Sequence, residues 1–201
     1  METKKETYYQ SLYELAATLN SARAPDSILQ SVAECVAKAM GAKGCSLMLL
    51  SPDRKVLLHT VASGLSDWYV RKGPVSADKS ISEALEGKAV AIPDATKDDR
   101  IQYREQAKKE GIASILSVPM MLREETIGVI RVYTGEPYHF TMDDIYFVGA
   151  VANLGAIALE NARLYEAVQK DYETFRQDML EWRATLGHEW TMGEAVTPSE
   201  E

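Results

Sequence analysis

Ile112-Ala-Ser-Ile-Leu-Ser-Val-Pro-Met-Met-Leu122, then Arg123-Glu124-Glu125, then Thr126-Ile-Gly-Val-Ile-Arg-Val-Tyr133 is the stretch that decides the fold. Two β-rich apolar runs about a short charged turn predict an antiparallel hairpin. Side chains alternate between the faces of a strand. One face is then wholly aliphatic: Leu116, Val118 and Met120, with Ile130 and Val132. The other is mixed: Ile115, Ser117 and Pro119, with Val129, Arg131 and Tyr133. An aliphatic face calls for a covering layer of helices. A face bearing a hydroxyl, a guanidinium and a phenol calls for something polar enclosed beside it. Such a sheet suggests a binding domain without naming the ligand.

The flanking sequence supplies the covering elements. Tyr8, Leu12, Leu15, Leu19 and Ala22 form one stripe of a helix over 8–22, preceded by a tail at 1–7. Asp26 or Ser27 caps a second helix through Met40, stopped by Gly41 and Gly44. Strands are expected at Cys45–Leu50, Lys55–Val61 and Ala89–Ile92. Between Ser63 and Arg104 the chain is irregular, with Trp68-Tyr69, a Gly73-Pro74 break and a short helix over Ser80–Glu86. Another helix is expected from Asp98 to Lys109, stopped by Gly111. A long excursion between two hairpins is more often functional than idle.

Thr141 caps the last and longest helix, with Asp143 and Asp144 in its first turn. Val151, Leu154, Ala158, Asn161, Tyr165, Val168, Tyr172, Phe175, Met179, Trp182 and Leu186 are spaced alternately three and four apart, a heptad seam. Beyond Glu166 the seam is read as the one apolar face, set among Gln, Lys, Asp, Glu and Arg. A narrow apolar seam cannot bury itself, so a coiled-coil partner is expected over 167–186, and a disordered tail over 187–201.

The chain has 201 residues, so one domain with long flanking helices is the default. With 46% hydrophobic and 26% charged residues it has an ordinary globular composition. A formal charge of -8 argues against a nucleic-acid or anionic-membrane surface. No apolar run of about 18 residues stands out, so no membrane span is expected. Cys35 and Cys45 make no disulfide framework, and a reducing cytoplasm is the simplest setting. His59, His139 and His188 lack metal-ligand spacing, and no metal or cofactor is expected.

Taken together, Ser114-Ile-Leu-Ser-Val-Pro119, Ile127-Gly-Val-Ile-Arg-Val-Tyr133, Phe140 with Asp143-Asp144, and Ala156-Ile-Ala-Leu-Glu-Asn-Ala-Arg-Leu-Tyr165 resemble a GAF domain, a cytoplasmic sensory module. Gly64-Leu65, the Ile81–Gly87 segment and Ile92-Pro93-Asp94 add to the resemblance, which spans roughly residues 10 to 166, within a domain bounded at 8–166. It implies an α+β fold: a six-stranded antiparallel sheet, in the order second, first, fifth, fourth, third or a close variant. Terminal helices would cover one face. A ligand pocket, with Ser63–Arg104 as its lid, would lie on the other. It also implies a homodimer through the first and last helices, with Leu12, Leu15 and Leu19 joining the seam from Ala158 to Trp182.

Arg131, Tyr133 and Ser117 are then expected to line the pocket. Arg131 either pairs with a ligand carboxylate or phosphate, or holds a structural acid such as Asp94, or reaches out of the sheet. Trp68 and Tyr69 either stack on a planar ligand or anchor the lid; Tyr103 and Asp94 are further ligand-binding candidates. The Asn-Lys-Phe-Asp-Glu signature of cyclic-nucleotide-binding members is absent. Neither cysteine lies where a bilin link is expected, nor do the two form the cluster that a free-methionine-sulfoxide reductase needs, so an enzyme is not expected. Haem ligation by His59 is a minor alternative. Leu186-Gly-His-Glu-Trp190 is similar to a histidine-kinase phospho-acceptor box only as far as a chance match would be. The expected function is a non-enzymatic sensor that binds a small molecule and signals through its dimer to a separate output protein. The alternatives are an assembly module with an occluded pocket, or the sensor part of a larger signalling protein such as a histidine kinase.

Overall fold

The hairpin forms as β5 (Ser114–Leu122) and β6 (Glu125–Thr134), joined by a two-residue turn in which Arg123 takes φ 58°. We describe the chain from a computed structural model covering residues 3–21, 24–77 and 82–192, with side chains to Arg183. Before the hairpin come α1 (Lys4–Ser21), α2 (Pro25–Ala39), β1 (Gly44–Leu50), β2 (Val56–Ser63), α3 (Asp67–Val70), β3 (Val75–Ser76), α4 (Ser82–Leu85), β4 (Val90–Ile92) and α5 (Arg104–Glu110). After it comes α6 (Met142–Met192). The six strands form one antiparallel sheet in the order β3-β2-β1-β6-β5-β4. The two-residue β3 is the strand that pattern reading left unlocated.

The alternation read from the hairpin sorts the two layers. Leu116, Val118, Met120, Ile130 and Val132 pack with Leu29, Val32 and Val36 of α2 and with Phe147, Val148 and Val151 of α6. Ile115, Val129 and Tyr133 face the other way, among Met48, Leu57, Tyr69, Val75 and Ile92.

The first helix begins at Lys4, not Tyr8, because Lys4 is anchored on Asp144 at 2.6 Å. Asp144 and Thr141 exchange hydrogen bonds across the first turn of α6, Thr141 N to Oδ2 at 2.8 Å and Asp144 N to Oγ1 at 3.3 Å, a capping box. The helix expected from Asp98 starts only at Arg104. The Asp98 carboxylate instead accepts from Arg100 N at 2.9 Å and Arg100 Nη2 at 2.7 Å, holding a turn. α6 runs on through 187–192, where the sequence pattern suggested a tail; 193–201, Ala22 and the 80–81 start of the expected short helix lie outside the described residues.

Among the described residues one helix, Met142–Arg183 within α6, is long and apolar enough to cross a membrane by length and composition, contrary to the sequence expectation. Its apolar residues have a nearer use: Phe147, Val148, Val151, Ala152, Ala156 and Leu159 are buried in the core, so several faces of the helix must be apolar.

Gly64 holds φ +73°, and a Cβ there would stand 2.4 Å from the Lys43 carbonyl oxygen. Gly64→Ala is expected to lower stability by about 2–3 kcal/mol, read by urea unfolding. Unchanged stability would show that the β1 approach can relax.

The chain divides into a compact unit through Glu160 and a second unit from Asn161. In the second, Tyr165, Val168, Tyr172, Phe175, Met179 and Trp182 are all exposed, from 41% to 64%. In the first, Leu15 is a correction: it is buried in the core of its own chain, and Leu12 and Leu19 pack against that core. The outward aromatic side of α1 carries Tyr9 and Tyr13 instead.

Candidate functional site

Strand register builds the site. Arg131 on β6 stands opposite Ser117 on β5 and Ser46 on β1, a polar row across three central strands, with all three residues buried. Arg131 Nε donates to Ser117 Oγ at 3.0 Å. One pair along, the Tyr133 hydroxyl lies 3.0 Å from Ser46 Oγ. The edge of Tyr69, buried on α3, meets the Tyr133 ring with centroids 6.0 Å apart. Burial pushes both phenols above their ordinary pKa, with Arg131 opposing.

Pattern reading missed Lys72. Its ammonium donates to the Tyr69 carbonyl at 3.0 Å, lies 3.7 Å from the Tyr69 ring centroid, and is 3.0 Å from His59 Nε2. With Lys72 donating to Nε2, the ring proton belongs on Nδ1, which is buried with no partner among the described residues. Burial, then the charges of Lys72 and Arg131, bring His59 down to about 3, so it stays neutral at neutral pH. Burial, then Arg131, bring Lys72 down to about 7, while Glu110 pulls upward. Glu110 itself accepts from Ser66 N at 2.9 Å and from the Ser66 hydroxyl. A lysine beside Trp68-Tyr69 and before Gly73 was the one available signal, since an aromatic flank can hold an ammonium.

The structure therefore brings together Arg131, Ser117, Tyr133 and Tyr69, and adds Ser46, His59 and Lys72. Tyr103 stands at the margin, donating to the Pro74 carbonyl at 3.0 Å with its ring 5.8 Å from the Lys72 ammonium. Trp68 is a correction: it is 41% exposed and lies under the Lys109 ammonium at 4.9 Å. Asp94 is another. Its carboxylate accepts from Thr96 Oγ1 at 2.6 Å and Thr96 N at 3.0 Å and pairs with Lys97 at 3.0 Å, which ties its own turn.

Both thiols are disfavoured as nucleophiles. Burial pushes Cys35 up to about 11 and raises the fully buried Cys45 further. No group of three or more His, Cys, Asp or Glu able to hold a metal ion occurs among the described residues.

A curated relative, the methyl sulfide methyltransferase-associated sensor of Methanosarcina acetivorans, is 25% identical over 139 residues, 66% of this chain. The chain spans only 14% of that relative's length. Among solved structures, the GAF domain of a phosphoenolpyruvate-protein phosphotransferase from Coxiella burnetii superposes with a TM-score of 0.73 at 20% identity, over 82% of this chain and 99% of that one. Free methionine-R-sulfoxide reductase from Neisseria meningitidis, in complex with its substrate, superposes at 0.69 and 16% identity, over 82% and 95%. These structural likenesses establish the fold. A family profile for the GAF domain matches residues 22–160, well over half of the sequence, and the chain belongs to the GAF-domain family.

Proposed function

We propose that this chain is a sensory GAF module that binds a small molecule on the Arg131 face of its sheet and signals as a homodimer to a separate output protein in the cytoplasm. A relative named as a sensor supports the sensory part. The observation that carries the ligand part is the polar row Ser46–Arg131–Ser117, placed on strands whose opposite side chains pack on the helices. Arg131 alternates with Ile130 and Val132, which belong to the helix-covered core. A ligand that binds two sheet states unequally shifts their populations, and the shift reaches α2 and α6 through the same backbone. The burial of both thiols, which raises their pKa values, argues against a reductase chemistry such as that named for the Neisseria structure of the same fold.

A second reading has its own observation. Tyr69, Tyr133, Ile115 and Val129 are buried on this face and pack in one cluster, as in an assembly module whose pocket is filled by its own side chains. Thermal-shift screening against nucleotides, organic acids and amino acids separates the two. The sensor reading expects at least one compound to raise the melting temperature by a few degrees, about 1 kcal/mol or more of linkage. A flat response across the panel favours the assembly module.

A further inference from the structure

We propose that Lys72 is the anchor of an oxyanion subsite on the ligand face, so that the sensed molecule carries a carboxylate, sulfate-like or phosphate group. The inference rests on the ligand-binding reading above and names its ligand class. Lys72 is half-buried, and the acceptors that meet its ammonium, the Tyr69 carbonyl and His59 Nε2, are both neutral. It forms no salt bridge with an acid among the described residues. Two neutral acceptors and the Tyr69 ring face, 3.7 Å away, engage the ammonium, and none of them supplies a full negative charge. Withdrawing an ammonium from water against neutral acceptors alone is costly, and a bound oxyanion offsets that cost.

The groups facing Lys72 fit this role. Arg131 on β6 is a second cation within electrostatic reach. Tyr69 on α3 and Tyr103 before α5 offer ring faces, and His59 on β2 cannot compete for a proton near neutrality. Glu110 at the end of α5 is the acid that acts on Lys72, and its carboxylate is committed to Ser66. The chain thus presents a fixed amine beside a guanidinium, with its acid held on another task.

Linkage sets the sign of the pH response. In the free protein Lys72 titrates at about 7. An anion binds the protonated amine, so binding takes up a proton wherever the free amine is neutral. Affinity is full below about pH 7 and falls as pH rises through it, at most about tenfold per pH unit above.

Calorimetric titration of the whole chain with sodium sulfate and sodium succinate tests this, at pH 6.5 and 8.5 and at constant ionic strength. Neither probe changes its main charge state over that range, and together they separate a tetrahedral from a carboxylate preference. The expected result is binding that weakens roughly twentyfold from pH 6.5 to pH 8.5. Lys72→Met is expected to weaken it about tenfold or more, and Lys72→Arg to keep most of it. The pH arm uses the unaltered chain, so it decides even where the methionine variant misfolds. Equal binding by Lys72→Met, or no pH dependence, overturns the proposal. So does a chain that ignores both anions but binds uncharged nucleosides, an outcome that leaves the sensory reading standing. A chain that binds no anion and nothing in the wider panel overturns both.

Discussion

Asp144→Ala is expected to cost about 3–5 kcal/mol of stability, read by urea or thermal unfolding. The carboxylate is fully buried and serves four donors. Tyr8 reaches Oδ1 at 2.6 Å, Lys4 reaches Oδ1 at 2.6 Å, Tyr138 reaches Oδ2 at 3.1 Å, and Thr141 N reaches Oδ2 at 2.8 Å. Removing it strands the hydroxyl of Tyr8, which is 4% exposed and stacked on Phe147 with centroids 4.1 Å apart. It also removes half of the capping box that starts α6. The acid limb carries a second signature. Burial works against the charge of Asp144, but hydrogen bonds from Lys4, Tyr8 and Thr141 outweigh it and hold the carboxyl down to about 2, from 3.8. A depressed carboxyl adds stability that is present above about pH 4 and is lost as pH falls toward 2. That share is about 1–2 kcal/mol once solvent screening around half-exposed Lys4 is allowed for. Asp144→Asn should flatten the limb. An alanine variant within 1 kcal/mol of the parent would mean that α1 docks without the clasp.

Deleting residues 166–201 is expected to weaken self-association by roughly a hundredfold or more, measured by sedimentation or mass photometry across a dilution series. The reasoning starts from exposure. Tyr165, Val168, Tyr172, Phe175, Met179 and Trp182 repeat at the heptad spacing, and the chain itself covers none of them. Off the seam this stretch is mostly polar, Leu180 excepted, and such a helix gains little from propensity alone and is stabilised chiefly by a partner along the seam. Phe175→Glu places a charge in the middle of that seam and should act in the same direction. Should the truncated chain dimerise as tightly as the full one, the seam is not the interface. Attention then moves to the groove lined by Tyr9, Leu12, Tyr146 and Phe147 between α1 and α6.

The sheet was legible because period-two alternation is a local signal, and each face of β5 and β6 had a distinct chemistry. The turn at Arg123–Glu124 alone would set Ser117 opposite Ile130; a bulge between Met120 and Met121, which the sequence does not announce, shifts the ladder by one residue and brings Ser117 opposite Arg131. What surrounds them was less legible. Lys72 sits in an aperiodic stretch where position depends on how the lid lies on the sheet. Trp68 and Tyr69 are neighbours in sequence, yet a short helix turns one outward and one inward. Asp94 looked like a partner for Arg131, but a carboxylate followed by Thr96 and Lys97 finds nearer donors in its own turn. On α1 a single stripe of Leu12, Leu15 and Leu19 was read as a dimer seam, although an identical stripe is what a helix needs to dock on its own core.

The pairing of β1 with β6 places Ser46 beside Arg131, joining segments from opposite ends of the domain. The hairpins β1–β2 and β5–β6 close over short loops, whereas this central ladder must close over the whole lid. Loop-closure entropy and contact order make such non-local pairing a late event in folding. During synthesis β1 leaves the ribosome long before its neighbour exists and keeps one edge open in the interval, a strand that a chaperone or another nascent chain can reach. The polar row is assembled only when that seam between early and late halves zips, so an intact site is also a record of completed folding.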